Sequence, residues 1–404
     1  MSSAMFSGPV AGEDRFVAID ALRGFALFGI LLANLPYWGG FPFASAEQQK
    51  ALMGGVSPSA FGIFFNGILD GKFYTLFSLM FGLGFALQLE RLEKRGADGL
   101  AIFRRRMAAL LLIGCVHLFL IWDGDILVLY ALLGFVLPLF RHESDRALAI
   151  WALGLVFVLP MAAIATQHAT GINPGAPVMA LAISIAETFG ISENTDLLAY
   201  GTTGGWQHWL GWQSNGWAFS LADRLENWRF AKVLGCMVAG MLAGRFLMRG
   251  ALLENRRLLW RVLVAGLLIG LPAMVAYVQM PPHSQATWPS LIGTAPLGLA
   301  YGAAFLLAWP RAQGVLGVFA PVGRMALTNY LTHSLVGGFV AFGWGLGLMG
   351  KLDLDALYIW GIALYAAQVV LSHLWLRRFR QGPVEALWRR MTYGRRAVRE
   401  AVPA

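Results

Sequence analysis

Three groups of residues in this chain combine types and spacings that could do chemistry. Asp20, Arg23 and Asn34 are separated by 3 and 11 positions, which at about 100° per helical residue keeps them within about 60° of one another. An Asp–Arg pair at this spacing can neutralise itself locally, with Arg23 also reaching lipid phosphates. Alternatively, Asp20 holds Arg23 so that its guanidinium fork meets a phosphate or carboxylate. The second group is His117 with Asp123 and Asp125. His117 follows the triple Arg104-Arg105-Arg106 by a helical rise of about 16 Å, and imidazole is suited to proton transfer near neutral pH. Asp125 is placed to cap the helix that follows, and either carboxylate could orient a histidine or an acceptor. Asp123, with Asp70 and Lys72 at similar height, could equally build a polar cluster near Asn34. The third group is Arg324, Thr328, Asn329 and His333. Thr328 and Asn329 can glue helices together, at about 0.6 kcal/mol per hydrogen bond, or line a substrate site with Arg324. His333 is either a structural histidine or a second proton carrier, and it stands with Asp20, Arg23, Asn34, Lys72, Arg324, Thr328 and Asn329 among the expected substrate-binding residues. No metal site is expected, because the Asp-x-Asp has no histidine or cysteine at ligand spacing. Gly82-Leu-Gly84 lies in an apolar helix with no preceding strand, so it reads as close helix packing.

These groups need elements that can hold them. The 404 residues are 57% apolar or aromatic and 13% charged, against roughly 25% charged in soluble domains, which excludes an ordinary soluble enzyme. Apolar runs near 16–38, 62–90, 107–122, 125–141, 147–166, 230–248, 259–279, 290–310, 325–349 and 356–376 are read as spans of about 20 residues. The expected fold is all-α: one integral membrane domain over 1–404, a polytopic bundle of about ten spanning helices. The run at 62–90 is expected to break at Asp70-Gly71, and Asp123-Gly124 to make a tight turn between the third and fourth spans. Most of the 31 Lys and Arg fall beside alternate loops if both termini are cytoplasmic, Arg15 and the basic tail 377–404 among them, as the positive-inside rule requires. Topology thereby absorbs the net charge of +9, and nucleic acid is not an expected partner; the bilayer is. Glu13 and Asp14, with Asp20 and Arg23 inside the first apolar run, speak against a cleaved leader. Residues 167–229, with Trp206, Trp212, Trp217 and Trp228, are read as short helices on the extracytoplasmic interface, partly capping the bundle.

Five segments together resemble the YeiB-like family of bacterial inner-membrane proteins, whose function is unknown. They are Asp20-Ala-Leu-Arg23-Gly24-Phe-Ala-Leu-Phe-Gly29-Ile30; Lys72-Phe-Tyr-Thr-Leu-Phe-Ser-Leu-Met-Phe81-Gly82-Leu-Gly84; His117 through Trp122-Asp123-Gly124-Asp125; Gly323-Arg324-Met-Ala-Leu-Thr328-Asn329-Tyr330; and Phe379-Arg380-Gln-Gly382-Pro383-Val-Glu385-Ala-Leu-Trp388-Arg389. The likeness runs from residue 16 to about 393, leaving 167–229 unmatched. The Asp-x-x-Arg-Gly opening is more remotely similar to transmembrane acyltransferases that acetylate heparan sulfate or bacterial surface sugars. That similarity implies a cytoplasmic acyl-CoA donor, a sugar, lipid or small-molecule acceptor on the other side, and a histidine midway. Two functions stay open. In an acyltransferase, Arg23 and Arg324 bind the donor and His117 is the general base. In a transporter or a lipid- or quinone-binding protein, Asp20, Arg23 and the two histidines relay protons or hold a headgroup.

Overall fold

The computed structural model describes residues 17–280 and 284–400. Glu13, Asp14, Arg15 and positions 401–404 of the basic tail lie outside the described residues. Every regular element described is helical. The main helices are α1 (Val17–Trp38), α2 (Lys72–Lys94), α3 (Gly99–Leu120), α4 (Leu127–Val136), α5 (Asp145–Leu153), α6 (Gly205–Glu226), α7 (Arg229–Met248), α8 (Arg256–Gln279), α9 (Trp288–Leu316), α10 (Ala320–Arg324), α11 (Ala326–Ala341), α12 (Leu354–Arg378) and α13 (Pro383–Glu400).

Among the described residues, seven helical stretches are long and apolar enough to cross a membrane: Val17–Phe43, Pro58–Lys94, Asp145–Thr170, Arg229–Met248, Arg256–Gln279, Trp288–Arg324 and Leu354–Arg378. The three other expected spans are helical but differ from the apolar runs that suggested them. α3 starts at Gly99, where Asp98 caps it, so it takes in the arginine triple. α4 is a ten-residue helix extended by a 3₁₀ turn, Leu137–Phe140. α11 stops at Ala341 rather than running to 349. Three of the stretches that do qualify, Asp145–Thr170, Arg256–Gln279 and Leu354–Arg378, expose most of their apolar surface: Val158 is 66%, Leu268 72% and Ile359 68% exposed. Soluble monomers rarely show so extended an apolar surface, whereas lipid covers one. The chain is a multi-pass membrane protein.

Apart from Asp20, Arg23 and Asn34, α1 is almost wholly apolar and lies in the interior; Ala21, Ala26, Leu27, Leu31 and Leu35 are fully buried. Close crossings tie the bundle to it. A Cβ on Gly323 of α10 would lie 1.8 Å from the Asp20 carbonyl oxygen, and one on Gly24 2.1 Å from that of Phe319, so α10 lies directly on the Asp-x-x-Arg-Gly turn. α2 and α7 meet the same way: a Cβ on Gly82 would be 1.8 Å from the Met237 oxygen, and one on Gly240 1.9 Å from that of Leu79. Small residues permit such backbone contact where no water drives association. The 62–90 run breaks where the acid–glycine pair predicts. A π-type turn, Ile63–Leu69, ends at Asp70, and Gly71 takes φ 81° before α2 begins.

The segment 167–229 is helical too, but its largest element is not short. α6 runs 22 residues and buries Trp209, Trp212, Gln213, Asn215 and Arg224 against the bundle. Of the four tryptophans, Trp212 is thus used in helix packing, while Trp206 is 59% exposed.

Candidate functional site

α3 delivers His117 one turn before its end, where the chain folds back and both Ile121 and Trp122 donate to the His117 carbonyl, at 3.0 and 2.8 Å. The imidazole Nδ1 lies 2.8 Å from Asp125 Oδ1, and Nε2 lies 2.9 Å from the Ser334 hydroxyl on α11. His117, Asp125 and Ser334 are 0%, 1% and 1% exposed. Asp125 Oδ2 accepts the Val128 N–H at 2.7 Å in the first turn of α4, and the Arg224 guanidinium donates to the Asp125 carbonyl. With both carboxylate oxygens accepting, Nδ1 of a neutral His117 carries the proton and Nε2 accepts from Ser334. Asp125, His117 and Ser334 therefore form one hydrogen-bonded relay joining the α3–α4 turn to α11.

A cavity of about 250 Å³ lies beside this relay. Arg23, Arg106, Arg324 and Arg389 line one end; two turns further along α1 and α11 its wall is Ile30, Leu127, Tyr130 and Tyr330. Tyr330 separates the cavity from the relay, its ring centred 5.2 Å from that of His117. Arg23 donates to Asp20 at 2.9 Å and to the Gly323 carbonyl at 3.5 Å, so the guanidinium is held by the same crossing that packs α1 on α10. Arg106 lies over the Trp388 ring at 4.1 Å, a cation–π contact, while Trp388 donates to the Arg106 carbonyl at 2.8 Å.

The basic tail closes this arginine end. Glu385 Oε1 accepts the backbone N–H groups of Leu327 and Thr328 at 2.8 and 3.1 Å, and Oε2 accepts the Thr328 hydroxyl at 2.5 Å. The carboxylate caps α11 at the positive end of its dipole. Glu385→Ala is expected to cost about 1–2 kcal/mol of docking and to accelerate tryptic cleavage at Arg389 and Arg390 in the otherwise intact protein. Cleavage at the parent rate would show that the clip does not hold α13 down.

The remaining expected site residues divide among other environments. Thr328 serves the tail clip. Asn329 donates to Ser372 at 3.0 Å and to the Met325 carbonyl at 3.1 Å, and His333 bonds Gln368 at 2.6 Å. The expectation that Asn329 and His333 join the arginines in one substrate space is thus corrected by helix phase: positions 329 and 333 share the α11 face turned to α12, while 330 and 334 share the face turned to α3. The alternative cluster of Asp70, Lys72 and Asp123 near Asn34 divides: Asp70 and Lys72 both lie against Tyr277, and Asp123 goes elsewhere. Asp70 accepts from Tyr277 at 3.0 Å and Gln285 at 2.6 Å, and Lys72 donates to the Asn66 carbonyl. Asp123 instead receives the Tyr37 hydroxyl at 2.6 Å, and Tyr37 accepts from Trp212 at 3.0 Å. Burial pushes the Asp123 carboxyl above its ordinary value, with the Tyr37 bond opposing. Asn34 is half-buried on α1 outside the cavity lining. Ser334 was not among the residues singled out in the sequence, and Glu385 was quoted there without a role.

A family model described as "Protein of unknown function (DUF418)" matches residues 243–395, which includes Arg324, Ser334 and the tail clip but not His117. Longer matches reach the whole site. "Uncharacterized protein YxaH" of Bacillus subtilis (strain 168) is 35% identical over 396 residues, covering 95% of this chain and 96% of its own length. "Uncharacterized protein YeiB" of Escherichia coli (strain K12) is 31% identical over 416 residues, covering 94% and 96%. A Bacillus acidopullulyticus relative, "Uncharacterized 39.9 kDa protein in amylase 3'region", is 25% identical over 408 residues. With two relatives above 30% identity along nearly their full lengths, the chain belongs to the YeiB-like family, and the DUF418 match covers its C-terminal part.

Proposed function

We propose that this protein is a membrane acyltransferase that takes an acyl group from an acyl-CoA entering at the arginine end and hands it to a hydroxyl or amine acceptor near the α3–α4 turn. The observation that carries the reading is the buried His117–Asp125 pair, one aromatic ring beyond a cavity whose mouth holds four arginines. Phosphates suit guanidinium forks, the apolar wall suits an acyl chain, and a histidine oriented by a carboxylate is a general base. Asp20 aims Arg23; Arg106, Arg324 and Arg389 complete the anion site. In this reading both termini and the basic tail lie in the cytoplasm of a bacterium, where acyl-CoA is found. The bilayer is the inner membrane, α3, α4 and α11 add to the seven long spans to make ten, and residues 167–229 face the outer side.

The test is acyl-CoA-dependent release of free CoA thiol by purified protein in lipid vesicles. Arg23→Gln is expected to raise KM for the donor by about 10- to 100-fold, the worth of one charge-assisted contact, with little change in kcat. An unchanged KM removes Arg23 from the donor site, and the absence of thiol release with any donor removes the proposal. A lipid-binding or carrier function has one observation of its own. A groove of about 470 Å³ between α11 and α12 has Asn329, Gln368 and Ser372 on its wall beside Leu371, Leu374 and Trp375. Uptake that needs no acyl donor and collapses with the pH gradient would favour that function.

A further inference from the structure

The two nitrogens of His117 are both engaged, which a base awaiting a diffusing acceptor would not be. Nδ1 is held by Asp125 and Nε2 by Ser334, 2.8 and 2.9 Å away. The Ser334 bond is not the default for a helical hydroxyl. On the same helix Thr332 bonds back to the Thr328 carbonyl at 2.9 Å, and Ser78 on α2 does so to Tyr74 at 2.7 Å, the usual outcome in a helix interior. Ser334 instead spends its hydroxyl on an imidazole 217 positions away in sequence. Carboxylate, imidazole and hydroxyl in hydrogen-bonded series are the arrangement that activates a serine, and it is recognised by geometry and not by chain order.

We propose that Ser334 is a nucleophile that carries the acyl group as a covalent ester between two half-reactions; this rests on the acyltransferase reading above. In the first half, Ser334 Oγ bonds to the thioester carbonyl carbon while its proton passes to His117 Nε2. The carbon–sulfur bond breaks, and the thiolate leaves as CoA thiol with that proton. In the second half, the acceptor O–H or N–H gives its proton to His117 Nε2 and its heteroatom bonds to the acyl carbon. The ester C–Oγ bond breaks, and Ser334 regains the proton. No further reactant is required. Asp125 holds the imidazole and stabilises its charged form.

Ser334 stands one turn beyond Tyr330, the residue between relay and cavity. A carbonyl must come within about 3–3.5 Å of Oγ to react, so the Tyr330 ring has to swing aside for the donor. The structure also gives a covalent stop a purpose. An ester lets CoA leave the cavity before an acceptor arrives at the α3–α4 turn, where Asp123 receives the Tyr37 hydroxyl and Tyr37 accepts from Trp212.

The experiment uses the purified full-length protein with acetyl-, octanoyl- and palmitoyl-CoA, each labelled in the acyl group, without acceptor. The expected result is a burst of about one CoA thiol per protein and one acyl label that survives denaturation and maps to the Ser334 peptide. Ser334→Ala loses label and burst and lowers turnover by at least about 10³-fold. Ser334→Cys guards against a folding defect in the alanine variant: its label becomes a hydroxylamine-sensitive thioester on the new cysteine, which no structural role for the hydroxyl would produce. His117-dependent turnover with no label, or with label on His117, or with Ser334→Ala within about threefold of wild type, overturns the nucleophile and leaves the acyltransferase standing. No consumption of any donor by the wild-type protein overturns both.

Discussion

Replacing His117 by alanine is expected to lower acyl-CoA-dependent turnover by about 10²- to 10⁴-fold, the range for loss of a positioned general base, while the protein still elutes as one species after extraction. The relay explains why the loss should fall on the chemical step. In the proposed function the donor is held at the arginine end, where Arg106 stands eleven residues before His117 on α3, so KM for acyl-CoA should change little. Asp125→Asn should follow with a smaller loss, because an amide in that place still accepts the Val128 N–H but cannot stabilise an imidazolium. Turnover within about threefold of wild type in His117→Ala would mean that the relay is structural.

The second large effect is on assembly. Gly323→Val is expected to destabilise the bundle by about 3 kcal/mol, the upper part of the usual range for overpacking, read as a lowered melting temperature in detergent. The new Cβ would meet backbone, the Asp20 carbonyl oxygen at 1.8 Å, and backbone of a buried central helix cannot turn aside as a side chain can. Because Arg23 also donates to the Gly323 carbonyl, prying this crossing apart is expected to displace Arg23 as well. A variant melting with the parent would show that α10 does not bear on α1 as described.

These residues mark what a sequence can disclose. The long apolar runs announce themselves by length, and the Asp70-Gly71 break follows from local chemistry, since only the chain's own dihedrals are involved. Asp20 and Arg23 pair three residues apart and could be paired on paper; their third partner, Gly323, is 300 positions away, and no periodicity connects them. His117 with Asp125 was approachable because the turn keeps them eight residues apart. Ser334 was not, since a serine in an apolar helix looks like any interhelical glue until α3 is known to lie beside it. The adjacent His333 drew attention by its side chain, yet its helix phase turns it to Gln368. The tail reads as a basic cytoplasmic segment because its eight arginines fit the positive-inside rule. Glu385 and Trp388, one a carboxylate among cations and the other an indole, were the signals that it docks.

In the proposed function the arginine-lined cavity and the His117 relay serve one substrate. This is tested most directly by a structure of the protein with an acyl-CoA analogue whose sulfur is replaced by a methylene, so that it cannot transfer. The expected result is phosphate density among Arg23, Arg106, Arg324 and Arg389, the Tyr330 ring displaced, and the analogue's ketone carbon within about 3.5 Å of Ser334 Oγ. An analogue bound elsewhere, with Tyr330 unmoved and lipid filling the cavity, would contradict it.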